Sequence, residues 1–167
     1  MASSNRRYDM NPIQPGFTLI ELVILITIAS IGVGVAAPAY RDYVIRERIS
    51  EAILATSQCR TVIADVYQSV HRNTSIGTNK WSCGEGLTTT KYVASISTDP
   101  DGTITVMTSV NTLLGAAAST SLTLTPTKED GTALSIRDTP TKVYGFKCAP
   151  GGATPVPAKY LPDSCRG

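Results

Sequence analysis

Gly16-Phe17-Thr18-Leu19-Ile20-Glu21 is the stretch of this chain whose residue types and spacing promise chemistry. Glu21 is the one charged side chain in residues 17–37, a run that is otherwise almost wholly apolar. A charge at the centre of a bilayer costs about 2.5–3.5 kcal/mol on insertion scales, and an acid held there marks a functional position that needs a partner. A paired Glu in a soluble core helix is the alternative, and the uninterrupted apolar length argues against it. The chemistry on offer is ion pairing in apolar surroundings.

Four cysteines, Cys59, Cys83, Cys148 and Cys165, form an even set with no C-x-x-C pair, and His71 is the only histidine. That set does not suit zinc. Beside a membrane-targeting segment it favours two disulfides in an oxidising compartment. Three pairings are possible; Cys59–Cys83 and Cys148–Cys165 are preferred because each closes a short local loop. A bridge over about 15–25 residues contributes on the order of 3 kcal/mol in the loop-entropy model. Four reduced thiols would instead require a cytosolic body.

No phosphate-binding Gly-rich motif, nucleophile elbow or metal-ligand cluster occurs in the sequence. His71 reads as a solvated residue near a helix end, where a cation suits the dipole. Asp99, Asp101 and Asp130 lack the ring of oxygen ligands that a calcium loop needs and read as turn residues. Asn73-Thr74-Ser75 fits a glycosylation acceptor, a pattern frequent by chance. No enzyme activity, cofactor or metal is assigned. The 167 residues carry a net charge of +2 with acids and bases interspersed, so there is no electrostatic footprint for nucleic acid, and DNA stands as a partner without support.

The elements that must position these residues follow from patterning. Residues 1–16 are polar and include Arg6 and Arg7, which are expected to keep that side cytoplasmic and to place the chain beyond Ala37 outside the inner membrane. Ala36-Ala37-Pro38 offers the small residues of an ordinary secretory cleavage site, but cutting there would discard Glu21. A helix is predicted from Phe17 to about Arg72, roughly 80 Å long at 1.5 Å per residue. Its first half is apolar all round. In its second half Ile45, Ile49, Ile53, Val62 or Ile63, Val66 and Val70 recur at helical steps, apart from Arg46, Glu47, Arg48, Glu51 and Arg60. Gly32, Gly34 and Pro38 predict a kink or break within residues 33–37, which reads on its own as a small-residue packing notch. Residues 73–90 form a connection that holds Trp81 and Cys83. Residues 92–96, 103–106, 121–125, 133–136 and 143–148 alternate with period two and read as antiparallel strands joined by Asp-Gly turns. Residues 151–157 are a loop that becomes an exposed hoop if Cys148 is joined to Cys165.

Taken together, the residues 16–21 resemble the processing site of type IV pilins, where a membrane peptidase cuts after the Gly and methylates the new N-terminus. Pro38, Tyr40 and Tyr43 stand where many type IVa pilins have a helix-bending proline and two tyrosines. Lys159-Tyr160-Leu161-Pro162-Asp163-Ser164-Cys165 resembles their C-terminal disulfide loop. The sequence departs from the pattern in a longer leader and in Gln14-Pro15 where a Lys commonly precedes the Gly; a start at Met10 in place of Met1 would give a leader of typical size.

The resemblance implies a cleaved leader at 1–16, a transmembrane or filament-core half-helix at 17–38, and a periplasmic globular domain at 39–167. The fold expected is α+β, a long N-terminal helix packed on a four- to five-stranded antiparallel sheet with a disulfide-closed C-terminal loop. Cleavage falls between Gly16 and Phe17, with N-methylation of Phe17. Glu21 then pairs with the free amine of Phe17 on a neighbouring subunit, and the helix near Pro38 unwinds in part during assembly. The partners implied are other copies of the chain, a prepilin peptidase, the inner-membrane assembly machinery and the membrane itself. The implied roles of such a filament are adhesion, twitching motility or DNA uptake. A minor pilin or secretion-system pseudopilin is the alternative within the same architecture, although a major pseudopilin usually shows a calcium-binding C-terminal loop. A membrane-anchored binding module that never polymerises is the alternative from another class.

Overall fold

Helix α1 (Leu19–Leu54) begins at Thr18, whose hydroxyl oxygen accepts the Glu21 N–H at 3.3 Å and so satisfies one of the donors that a first helical turn leaves unpaired. The structure, a computed structural model, describes residues 16–71, 74–86 and 90–166, without the side chains of residues 32–37. Helical geometry runs through residues 33–37 with Pro38 inside α1, so the chain stays helical where a kink or break is expected. A proline removes one donor and crowds the carbonyl four residues back, a local cost that flanking hydrogen-bonded turns can carry.

The chain divides into two units, Met1–Pro38 and Ala39–Gly167. In the first, every described side chain of residues 16–31 is exposed. Among the described residues no helix is long and apolar enough to cross a membrane. The last six side chains of the apolar run 17–37 fall outside the described set.

The second unit contains residues 39–54 of α1, then α2 (Ser57–Ser69), where the sequence reads as one helix. The N–H and the hydroxyl of Thr56 both donate to the Ile53 carbonyl, at 3.1 and 2.7 Å, and tighten the chain into a turn. Ile45, Ile49, Ala52, Thr56, Cys59, Ile63 and Tyr67 are nonetheless all buried, so the three- and four-residue steps continue across it. The expected register is corrected at its far end. Val62, Val66 and Val70 are only half-buried, whereas Ile63 and Tyr67 are in the core. The tyrosine can be there because its hydroxyl donates to the Asp101 carbonyl at 2.7 Å. α2 stops at Ser69, short of Arg72, because Val70 is extended.

The sheet is a meander in the order β1 (Val93–Thr98), β2 (Ile104–Thr108), β3 (Ser121–Thr127), β4 (Gly145–Pro150), each antiparallel to the next. Ile96, Val106 and Leu122 face inward in one cross-strand row, and Ile104, Leu124 and Cys148 in another. A bulge between Val93 and Ser95 lets Val93 and Ile96 share the inner face. Gly102, at φ 77°, turns the chain from β1 to β2 directly on the core; a Cβ there would lie 3.0 Å from Ile63 and 3.2 Å from Trp81.

One sequence expectation fails here because side-chain and backbone partners outside the sheet take the hydrogen bonds. Residues 133–136 are not a strand. Ala133 makes only an isolated bridge to Thr127, and Ser135 and Asp138 close a capping box on the 3-10 turn Ile136–Asp138. The Asp101 carboxylate takes the Ser135 hydroxyl at 2.9 Å and the Ile136 N–H at 2.8 Å. Leu134 and Ile136 are buried all the same, hence the strand-like alternation. Residues 151–157 are the loop expected between the two cysteines, exposed at residues 152–155, and it is tied to the start of β3. The Ser121 N–H donates to the Thr154 carbonyl at 2.6 Å, the Val156 N–H donates to the Ser121 carbonyl at 2.9 Å, and Val156, Tyr160 and Leu161 are buried.

The register of α2 yields a direct prediction. Ile63→Ala lowers the unfolding free energy by about 2–5 kcal/mol, whereas Val62→Ala lowers it by under about 1 kcal/mol. Denaturant titration of the full chain in detergent measures both, and equal losses would contradict the register.

Candidate functional site

In the first unit the residues of interest occupy the start of α1. Gly16 is exposed, with open space where a Cβ would project, and the Phe17 side chain is 69% exposed. Thr18 caps the helix, and Glu21 sits in its first turn, where a carboxylate suits the positive end of the helix dipole. Exposed leucines, isoleucines and Val23 surround it. Among the described residues there are three ion pairs, and none includes Glu21. Among the described residues, the arrangement presents one acid within a stretch of exposed apolar side chains. Pro38 ends the same unit. Residues 1–15, with Arg6, Arg7 and the two candidate start sites, and Asn73 of the glycosylation pattern lie outside the described residues.

The second unit is fastened by its disulfides. Cys59 on α2 bonds Cys83, and Cys148 on β4 bonds Cys165. The first bridge ties a long connection to the helix, and that connection is held further by acids the sequence reading passed over. Glu85 accepts the Trp81 N–H and the Cys83 N–H, each at 2.9 Å, and the Thr98 hydroxyl at 3.0 Å. Asn79 pairs with Thr98 in both directions, at 2.8 and 3.0 Å, and so covers part of the β1 edge. The Trp81 indole stacks on Tyr67 with centroids 5.8 Å apart and donates to the Asp99 carbonyl at 2.8 Å. Burial pushes the Glu85 carboxyl up. The N–H groups of Glu85 itself and Cys83, the Thr98 hydroxyl and the Trp81 N–H outweigh that and hold it below the usual carboxylate range.

The remaining acids act as turn and cap residues. Asp99 accepts the N–H groups of Asp101 and Thr103 at 2.9 and 2.7 Å, and Asp130 accepts the N–H and hydroxyl of Thr132 at 2.9 and 2.6 Å. Among the described residues no group of three His, Cys, Asp or Glu side chains is placed to hold a metal ion. His71 is exposed. Of the residues missed, Thr18 had a readable signal: Thr18-Leu19-Ile20-Glu21 has the spacing of a helix capping box. Glu85 had none, because its three donors converge only in the folded loop.

Residues 46–166 match the family model described as pilin (bacterial filament). The chain belongs to the pilin family. It is 31% identical to a fimbrial protein of Neisseria meningitidis over 94% of this chain and 96% of that one. It is 32% identical to the type IV major pilin protein PilE of Neisseria gonorrhoeae over the same shares. A crystal structure of a Pseudomonas aeruginosa type IV pilin has the same fold, with a TM-score of 0.54 and 19% identity over 74% of this chain and 98% of that one. The pilin fold expected from the sequence, a long helix on a four- to five-stranded antiparallel sheet with a disulfide-closed terminal loop, is the fold observed, with four strands and the Cys148–Cys165 bridge.

The Glu85 clasp of this pilin gives a pH signature. A depressed carboxyl contributes stability that is present above its unfolded value and is lost as pH falls through the folded one. Glu85→Gln is therefore expected to be less stable than the parent at neutral pH, with the difference shrinking below about pH 4.5. Denaturation midpoints at several pH values test this, and a constant difference would show that the charge is not what matters.

Proposed function

We propose that this pilin is the structural subunit of a type IV pilus, made with a leader that is removed between Gly16 and Phe17. Residues 1–16 are the leader, residues 17–38 hold the subunit in the inner membrane before assembly, and residues 39–167 form the globular domain outside it. A prepilin peptidase performs the cleavage and methylates Phe17, and an inner-membrane machine extracts the subunits into a filament on the cell surface. The observation that carries the reading is the exposed, apolar stretch of residues 17–31 with a single carboxylate in its first helical turn, in a chain of a filament-forming family. The family and the fold are those of structural subunits, and the names of the relatives, fimbrial protein and type IV major pilin, favour a major subunit.

In that filament the apolar rods pack together and the Glu21 carboxylate loses water. An unpaired charge in such surroundings is costly, and leaving one member of a buried pair alone costs about 3–5 kcal/mol. Cleavage creates the cation that is needed, the amine of Phe17 on a neighbouring subunit. The pair then selects the axial register in which acid and amine coincide, while the apolar contact contributes most of the attraction. Pro38 leaves α1 one backbone hydrogen bond short at the border of the two units, the natural place for the helix to loosen on assembly.

Glu21→Ala is expected to insert normally and to lower the yield of sheared filaments by at least about tenfold. Electron microscopy and gels of the sheared fraction measure this, and a normal yield would contradict the pairing. Replacing Gly16 by a bulkier residue is expected to abolish cleavage. N-terminal mass analysis reads that outcome, and mature Phe17 termini in the variant would refute the assigned site.

A further inference from the structure

The globular unit carries complementary surfaces at its two ends. At one end, a cleft of about 360 Å³ lies between α1 and the 3-10 segment Thr112–Ala117, lined by Tyr40, Arg41, Val44, Arg48, Leu113 and Gly115. Arg48 is committed within the domain, donating to the Leu113 carbonyl and lying 5.5 Å over the Tyr92 ring. Arg41 is exposed and makes no ion pair among the described residues. Leu113 and Val110 beside the cleft are 44% and 83% exposed. The result is an apolar recess with a cationic rim.

The strand register shows what lies at the other end. Ser121 opposes Met107 and Leu124 opposes Ile104, so the segment joining β2 to β3, which includes Leu113, is at the Ser121 end and Thr127 is at the opposite one. There the Tyr144 N–H donates to the Thr127 carbonyl at 2.9 Å, and the Tyr144 side chain projects with 62% exposure. Beside it the turn that follows Thr127 carries Glu129 and Asp130, both exposed. Lys128 is neutralised by Asp138 at 3.0 Å, and the exposed cations near this end are Lys142 and Lys147 on either side of Tyr144 in sequence and Arg137 beside Asp138. The result is an aromatic knob with an acidic turn, Glu129-Asp130, on one flank.

We propose that in the filament the Tyr144 ring of one subunit seats in the Tyr40–Leu113 cleft of the next, with Glu129 and Asp130 facing Arg41. This rests on the polymerisation reading above and names the contact made by the globular units. The two patches are at opposite ends of one domain and cannot meet within a single copy. Their contact is head-to-tail, and a head-to-tail contact propagates into a filament unless its rotation closes a ring. A tyrosine anchor inside an apolar recess with charge pairs at the rim is also the usual distribution of energy in a protein interface.

The test uses filaments of the full chain. All four native cysteines are bridged, so Leu113→Cys with Tyr144→Cys introduces the only free thiols. A short bis-maleimide added to sheared filaments, followed by a reducing gel, is expected to give a ladder from the double variant and monomers from each single one. Cells that express the two single variants together are expected to give dimers without a ladder. Filaments of the double variant that yield monomers alone overturn this contact and leave polymerisation intact; a wild-type chain that makes no filaments overturns polymerisation itself. If the double cysteine variant makes no filaments, charge reversal decides. Arg41→Glu is expected to lower filament yield about threefold, and adding Glu129→Arg to restore it. No loss in the first, or no recovery in the second, overturns the contact.

Discussion

The burial of one helical stripe on one face of the sheet is the constraint from which the rest of the globular unit follows. Ile45, Ile49, Ala52, Thr56, Cys59, Ile63 and Tyr67 belong to the same core as Ile96, Val106, Leu122 and Leu124. A sheet that is apolar on one face must be covered, and here α1 and α2 are the cover. Because the sheet is a meander of neighbours in sequence, its pairing is local, and the long connections are pinned to it afterwards. The connection after α2 is held by Cys59–Cys83 and the Glu85 clasp, and the C-terminal segment by Cys148–Cys165 and Ser121. In the first unit the described apolar side chains of residues 17–31 are all exposed.

That contrast gives the protein its physical logic as a pilin. A domain that completes its own core needs no partner, whereas an apolar rod left bare must find lipid or other rods. Membership of a filament-forming family fits a chain built from one of each. On the proposed reading Glu21 would limit how rods pack, because apolar surfaces alone are tolerant of sliding and a desolvated carboxylate is not.

Much of the fold was legible in residue patterning. Four of the five alternating segments are strands, and the preferred cysteine pairing is the one present, because short loops and period-two burial are local properties. The failures have a common cause. Leu134 and Ile136 alternate like a strand because both are buried, yet Asp101, from a distant turn, takes the hydrogen bonds a neighbouring strand would have taken. Val66 and Val70 are more apolar than Tyr67, yet Tyr67 occupies the core since a carbonyl of the β1–β2 turn waits for its hydroxyl. The helix break at Thr56 is equally illegible, because it depends on where a threonine hydroxyl finds the Ile53 carbonyl.

The sequence by itself determined which segments are apolar, how often that character repeats, and where a lone acid and four cysteines stand along the chain. Those properties belong to residue order and need no fold to exist, and they carried the family resemblance at Gly16, Phe17 and Glu21. Only the tertiary structure decided which polar groups meet: Glu85 with Trp81, Cys83 and Thr98, Asp101 with Ser135 and Ile136, and Ser121 with Thr154 and Val156. It also set Tyr144 and the Arg41 cleft at opposite ends of one domain. Hydrogen bonds act over about 3 Å and depend on angle, so partners far apart in sequence are chosen by the final geometry. Hydrophobic burial is non-directional, and its pattern survives in the order of residues.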